Sequence, residues 1–113
     1  MKVSGFTFLR NAELFGYPFI ASIRSALPLV DEFVVALGPC EDDTEAQLLA
    51  LNEPKLRLIR TTWNEGVRHD RGVKGFVYGQ QKSIALFNCT GDWAMYLEGD
   101  EVVHEAELAA AKL

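Results

Sequence analysis

Trp93-Ala94-Met95-Tyr96-Leu97-Glu98-Gly99-Asp100-Glu101 is an apolar run of strand length that stops abruptly in three carboxylates set around one glycine. Such a run is buried as a strand, after which the chain turns and presents its acids at the strand's C-terminal end. In open α/β sheets that end is where ligands bind. Two carboxylates one residue apart, Glu98 and Asp100, suit a hard divalent cation, which takes oxygen ligands and is often completed by substrate phosphate oxygens. The plainer reading is a solvated acidic turn that caps a strand, and both readings are open from these residues alone.

Upstream, strand and helix patterns alternate. Val3-Ser4-Gly5-Phe6-Thr7-Phe8-Leu9 is rich in β-branched and aromatic residues and reads as a strand. Phe19, Ile20, Ile23, Ala26, Leu27 and Val30 recur at helical spacing, with Pro18 near the first turn and Pro28 near the end. Phe33-Val34-Val35-Ala36-Leu37 is uniformly apolar, as a strand covered on both faces should be, and Gly38-Pro39 ends it. Thr44 reads as the N-cap of a helix through Leu51, and Leu56-Arg57-Leu58-Ile59-Arg60 as a third strand. From Thr61 to Gly75 no periodicity is usable, which predicts a long loop carrying Trp63, Arg68, His69, Asp70 and Arg71. A helix is predicted from about Phe76 to Asn88, and the tail from His104 to Leu113 is helical by propensity. Strands alternating with helices predict a layered, mostly parallel α/β sheet.

At 113 residues the chain fits one domain, 1–113, with the half-hydrophobic, quarter-charged balance of a globular protein. No apolar run approaches the roughly 20 residues of a membrane span, and the N-terminus lacks the segments of a signal peptide, so a cytoplasmic location, with or without peripheral attachment to the membrane's inner face, is expected. Cys40 and Cys89 form no metal-ligand pattern and read as reduced thiols. A net charge of −5 argues against nucleic acid as the partner. Seven of the eleven basic residues (Lys55, Arg57, Arg60, Arg68, Arg71, Lys74 and Lys82) fall in the middle of the chain, between acidic turns at Glu41-Asp42-Asp43 and Glu98 onward. That layout suits a small metal-bridged anion better than a polymer. The two tryptophans read as packing residues, Trp93 above all.

If the sheet is parallel, the turns after Leu9, Leu37 and Leu97 converge on one edge and bring together Arg10-Asn11, the Pro39–Thr44 segment and Glu98–Glu101. No other catalytic arrangement competes. There is no phosphate loop of the GxxxxGK[ST] type, no GxGxxG after the first strand, and no serine in a nucleophile elbow. His69 and His104 are not spaced as a metal pair.

Three segments carry a resemblance. Val3–Asn11 is similar to an opening strand that ends in asparagine. Gly38, Cys40, Asp42 and Thr44 stand in register with a G-S-x-D-x-T turn after a second strand. Gln80-Gln81-Lys82-Ser83, Ala85-Leu86, Gly91-Asp92-Trp93 and Leu97-Glu98-Gly99-Asp100-Glu101 look like an A-R-N-x-G-L helix, a strand and a D-x-D motif. Together they resemble the N-terminal, nucleotide-sugar-binding half of a family 2-like glycosyltransferase with the GT-A fold. The resemblance implies a three-layer, Rossmann-like α/β domain with helices on both faces of a mostly parallel four-stranded sheet, in the order third, second, first, fourth.

It also implies a nucleotide-diphospho-sugar donor and a Mg²⁺ or Mn²⁺ ion held by Glu98 and Asp100. The metal would stabilise the leaving diphosphate as a Lewis acid. Lys82 takes the place of an arginine facing the nucleotide, and Thr7, Arg10, Asn11 and Asp42 belong to the walls around base and ribose. The chain departs from the family at Ala36-Leu37, where a base-contacting acid is common, at Glu98, where an aspartate is usual, and at Lys82. No residue matches the family's general base, which lies beyond the D-x-D strand. The chain is therefore expected to bind a donor, to lack turnover by itself, and to self-associate as a dimer through the apolar edge left by its fourth strand. The alternative from another class is a non-catalytic α/β interaction or scaffold domain. A phospho-acceptor receiver domain is disfavoured by Arg10-Asn11 where an acidic pair is needed.

Overall fold

A computed structural model describes residues 1–14, 16–63 and 71–98, with the side chains of 71–76 excepted. The elements run β1 (Val3–Leu9), α1 (Phe19–Ala26), a 3-10 turn (Leu27–Leu29), β2 (Glu32–Leu37), α2 (Thr44–Ala50), β3 (Leu56–Arg60), α3 (Arg71–Phe87) and β4 (Trp93–Tyr96). The four strands form one sheet in the order β3-β2-β1-β4, and each neighbouring pair is parallel. The α/β class and the parallel pairing are those the sequence predicts, and the strand order is the one the resemblance implies.

Alternation along the strands sorts the core into two halves. Leu9 of β1 and Phe33, Val35 and Leu37 of β2 face α1 and α2, where Phe19, Ile23, Ala26 and Leu48 pack on them. Phe6, Val34 and Ala36 point the other way, onto Ala85 of α3. All six residues of β2 are buried, because the strand has a neighbour on each side and helices on both faces. This is the three-layer arrangement.

Local differences from the sequence reading have physical causes. Val30 does not end a continuous helix. Pro28 lacks an N–H donor, so α1 stops at Ala26 and the chain tightens into a 3-10 turn. Thr44 is the first helical residue rather than the cap. Its backbone N–H donates to Asp42 Oδ1 at 3.0 Å, while its own hydroxyl accepts from the Glu13 N–H at 3.2 Å. The predicted helix from Phe76 begins at Arg71, so part of the expected Thr61–Gly75 loop is helical. Two glycines, Gly72 and Gly75, lower the helix propensity of that first stretch and hide it in the sequence. β4 closes at Tyr96, although Leu97 still donates its N–H to Phe6 O at 3.1 Å. Arg68, His69, Asp70 and the tail from His104 lie outside the described residues.

Both tryptophans are expected to pack, and only Trp63 does. Trp93 opens an edge strand and is 62% exposed. Trp63 is the packed one, partly buried with its ring against Tyr78. Periodicity separates the two faces of a strand but does not reveal that the strand lies at a sheet edge.

Candidate functional site at the C-terminal edge of the sheet

Parallel pairing sends all four strand exits to one edge, and the first two exit turns are interlocked there. Asn11 lies in the left-handed region at φ 52°, which asparagine tolerates better than most residues. That bend aims its side-chain Oδ1 at the Glu41 N–H, 2.7 Å away, and its own N–H at Cys40 Sγ, 3.4 Å away. Arg10 donates from Nε to Pro39 O at 3.0 Å. Glu13 accepts from the Asp43 N–H at 3.0 Å.

Asp42 is the hinge of this interlock. One oxygen accepts from the Leu14 N–H at 2.8 Å and the other from Thr44 N–H. Burial would raise its pKa, but the bonds from Thr44 and Leu14 outweigh that and leave it lowered. Both carboxylate oxygens thus hold the turn and the start of α2 together. Cys40 goes the other way: its partial burial, with Asp42 and Glu45 nearby, pushes the thiol up, so it stays protonated and donates to Gly38 O at 3.3 Å.

Thr7 sits inside the sheet at 2% exposure, and among the described residues its hydroxyl finds no hydrogen-bond partner. It stands behind the site rather than on its surface. Lys82 is exposed on α3, with its ammonium 4.0 Å from the centroid of the Tyr96 ring. It therefore rests beside the last residue of β4, next to the acidic turn. Glu98 is exposed at the β4 exit, and its carbonyl accepts from Ser22 Oγ at 3.0 Å, which ties this turn to α1. Asp100 lies outside the described residues. Among the described residues no three His, Cys, Asp or Glu side chains converge as a metal site. The chemistry of the Glu98 carboxylate fits a hard cation, but one carboxylate does not make a site, so a metal here depends on Asp100 as the second ligand.

Sequence reasoning reads Trp63 as a packing residue, as it is, but does not place it at this edge. Its ring lies against the backbone of Gly38, where an added Cβ would come within 2.3 Å of Nε1. The indole meets Tyr78 edge-on with centroids 5.5 Å apart, and Tyr78 in turn meets Phe8 at 5.8 Å. The Arg10 guanidinium stands over the indole, 5.0 Å from its centroid. Among the described residues, Trp63 Nε1 is buried without a hydrogen-bond partner. Buried Gln81 holds the approach to Trp63. It bonds the Thr61 hydroxyl through Oε1 and donates from Nε2 to Thr62 O at 3.1 Å. The available signal was Gly38 itself, a glycine at a strand exit where another side chain approaches closely.

Among the described residues, three cations of the basic middle are already engaged. Arg57 pairs with Glu32 at 3.0 Å, Arg60 with Glu45 at 2.5 Å, and Lys55 donates to Leu27 O at 2.9 Å. Of those seven residues, only Lys82 has a described side chain beside the acidic turn.

No protein-family model matches the chain, and no curated protein matches it in sequence. In fold it is similar to the N-terminal part of S. aureus TarS, a GT-A glycosyltransferase. Against a crystal structure of TarS 1-349 the TM-score is 0.65 at 22% identity, over 99% of this chain and 31% of that one. Against another TarS crystal structure it is 0.61 at 19% identity, over 98% of this chain and 19% of that one. The chain spans about a third of the first structure and a fifth of the second, and at this identity the likeness is one of fold.

Proposed function

We propose that this chain is the donor-binding portion of a glycosyltransferase, taking a nucleotide-diphospho-sugar at the C-terminal edge of its sheet with a divalent metal. The observation that carries the reading is the convergence of three strand exits, with Arg10 and Asn11 locked to the Pro39–Thr44 turn and Glu98 at the exit of β4. Ligands of open α/β sheets bind at such an edge. In this reading Glu98 and Asp100 would hold Mg²⁺ or Mn²⁺, which when bound would supply Lewis-acid stabilisation of the diphosphate charge. Lys82 supplies a point charge beside it. Asn11 and Asp42 act on the donor indirectly, by fixing the turn that lines its pocket. A cytoplasmic location goes with this function. Among the described residues no strand covers the outer side of β4, which supports self-association, because an unpaired apolar edge recruits a partner.

Calorimetric titration of UDP- and GDP-sugars, with and without Mn²⁺, tests the proposal. Metal-dependent binding that Asp100→Ala abolishes is the expected result. Silence across all donors would sink it and favour a non-catalytic scaffold.

A further inference from the structure

Ser22 lies on the buried face of α1 with Phe19, Ile23 and Ala26, and is only 2% exposed. Alanine is the better helix former and would pack there about as well, so the hydroxyl needs a reason. A serine inside a helix ordinarily returns its hydroxyl to a carbonyl one turn back. Ser25 does so, donating from Oγ to Ser22 O at 2.6 Å. Ser22 does not. Pro18 O accepts its backbone N–H at 2.9 Å, while its hydroxyl donates to Glu98 O at 3.0 Å, 76 positions along the chain.

At Glu98 the chain has left β4, whose last residue is Tyr96. Leu97 still donates its N–H to Phe6 O at 3.1 Å, and its side chain is buried in the core that holds Phe19 and Ile23. Glu98 is therefore held from both directions, by the sheet and core through Leu97 and by α1 through its own carbonyl. A peptide unit is planar, so holding that carbonyl sets the direction in which the chain leaves Glu98. The Glu98 side chain itself is exposed. Two carboxylates take one hard cation only when the backbone between them presents both to the same point.

We infer that Ser22 is a positioning residue for the divalent cation of the donor site. Through the Glu98 carbonyl it sets the turn that would present Glu98 and Asp100 to one ion. The inference rests on the donor-binding reading. Ser22 is not itself a ligand, because its hydroxyl proton is committed to Glu98 O and its side chain is buried beneath the turn.

The test titrates the full chain with Mn²⁺ alone and follows loss of the free-ion signal by electron paramagnetic resonance. Asp100→Ala defines the site-specific binding as the part this substitution removes. Ser22→Ala is expected to weaken that part about tenfold, the scale on which partners of metal ligands act. Ser25→Ala deletes a hydroxyl bonded within α1 and should leave it unchanged. In the metal-free protein, amide exchange at Leu97 should be faster in Ser22→Ala, with the amides of β2 at the parent rate. Circular dichroism checks the fold of each variant. Parent-like Mn²⁺ affinity or parent-like Leu97 exchange in Ser22→Ala would overturn the inference and leave donor binding standing. Equal losses in Ser22→Ala and Ser25→Ala would make the effect one of helix stability and overturn it too. A parent protein with no Mn²⁺ binding that depends on Asp100 would overturn both the inference and the metal-dependent donor site.

Discussion

Glu32 and Arg57 pair at 3.0 Å across neighbouring strands, at the end of the sheet opposite the strand exits. Glu32 is 6% exposed and also accepts from Ser4 Oγ at 2.5 Å and from Thr90 through both N–H and hydroxyl, at 2.6 and 2.8 Å. Arg57 spends a second bond on Asn88 O, at 2.7 Å. One carboxylate therefore joins three strands to the turn between α3 and β4.

Burial alone would raise the pKa of Glu32, but the bonds from Ser4, Thr90 and Arg57 outweigh it and hold it at about 2, below the ordinary 4.5. A folded-state pKa below the unfolded one contributes stability that is fully present above about pH 4.5 and lost as pH falls toward 2. The shift corresponds to at most about 3 kcal/mol. Denaturant melts between pH 7 and 2 should show this loss, and Glu32→Gln should flatten that part of the profile. At pH 7 the same substitution should cost about 2–3 kcal/mol, because it leaves Arg57 and the Thr90 N–H poorly satisfied. A parent-like pH profile for Glu32→Gln would refute the assignment.

Asp42 offers a second separation of structure from binding. Its two oxygens hold Leu14 and Thr44, so Asp42→Ala releases one backbone donor at the start of α2 and one in the turn after β1. Loss of such a cap costs about 0.5–2 kcal/mol. Asp42→Asn keeps one acceptor oxygen and should recover part of that. If the aspartate acts on a donor only through the turn, nucleotide-sugar affinity will track stability across the parent, Asn and Ala proteins. An affinity loss in Asp42→Asn that is far out of proportion to its stability change would instead assign the carboxylate a direct contact.

The sheet was legible in the sequence because each strand is an apolar run closed by a turn residue, and no other element type fits runs that short. The convergence of the exit turns followed from parallel pairing alone. What escaped were features set by tertiary neighbours. The first turns of α3 hide behind Gly72 and Gly75, whose low helix propensity is overridden in the fold. Trp63 and Trp93 are chemically identical in a sequence, and their different burial comes from where β3 and β4 lie in the sheet. The pairing of Arg57 with Glu32 joins residues on adjacent strands whose register no local pattern states. It removes from the site a cation that sequence position alone had grouped with Lys82.

Gly38 is buried at the β2 exit, and its missing side chain is what lets the indole of Trp63 lie against the backbone. In Gly38→Ala a Cβ would stand 2.3 Å from Nε1 and 2.8 Å from Cδ1, too close for either to stay. Overpacking of this kind costs about 1–3 kcal/mol. Thermal melts should register that loss, and the emission of Trp63, read in a Trp93→Phe background, should shift to the red as the ring is pushed toward solvent. Parent-like emission from Gly38→Ala would show that Trp63 does not rest there.

β4 pairs with β1 on one side only, and among the described residues no strand covers its other side. Trp93 at its start is 62% exposed, and Phe87, at the end of the preceding helix, is 84% exposed. An edge that combines unpaired backbone groups with large apolar side chains associates unless a charge or a bulge blocks it. The described stretch of β4, Trp93-Ala94-Met95-Tyr96, has neither a charge nor a proline. Sedimentation velocity should show mass rising with protein concentration, with a dimer as the first species. Trp93→Lys places a charge at the edge and should return the protein to a monomer. Its stability should stay within about 0.5 kcal/mol, because an exposed side chain contributes little to the core. A parent protein that sediments as a monomer at every concentration would remove the edge as an interface.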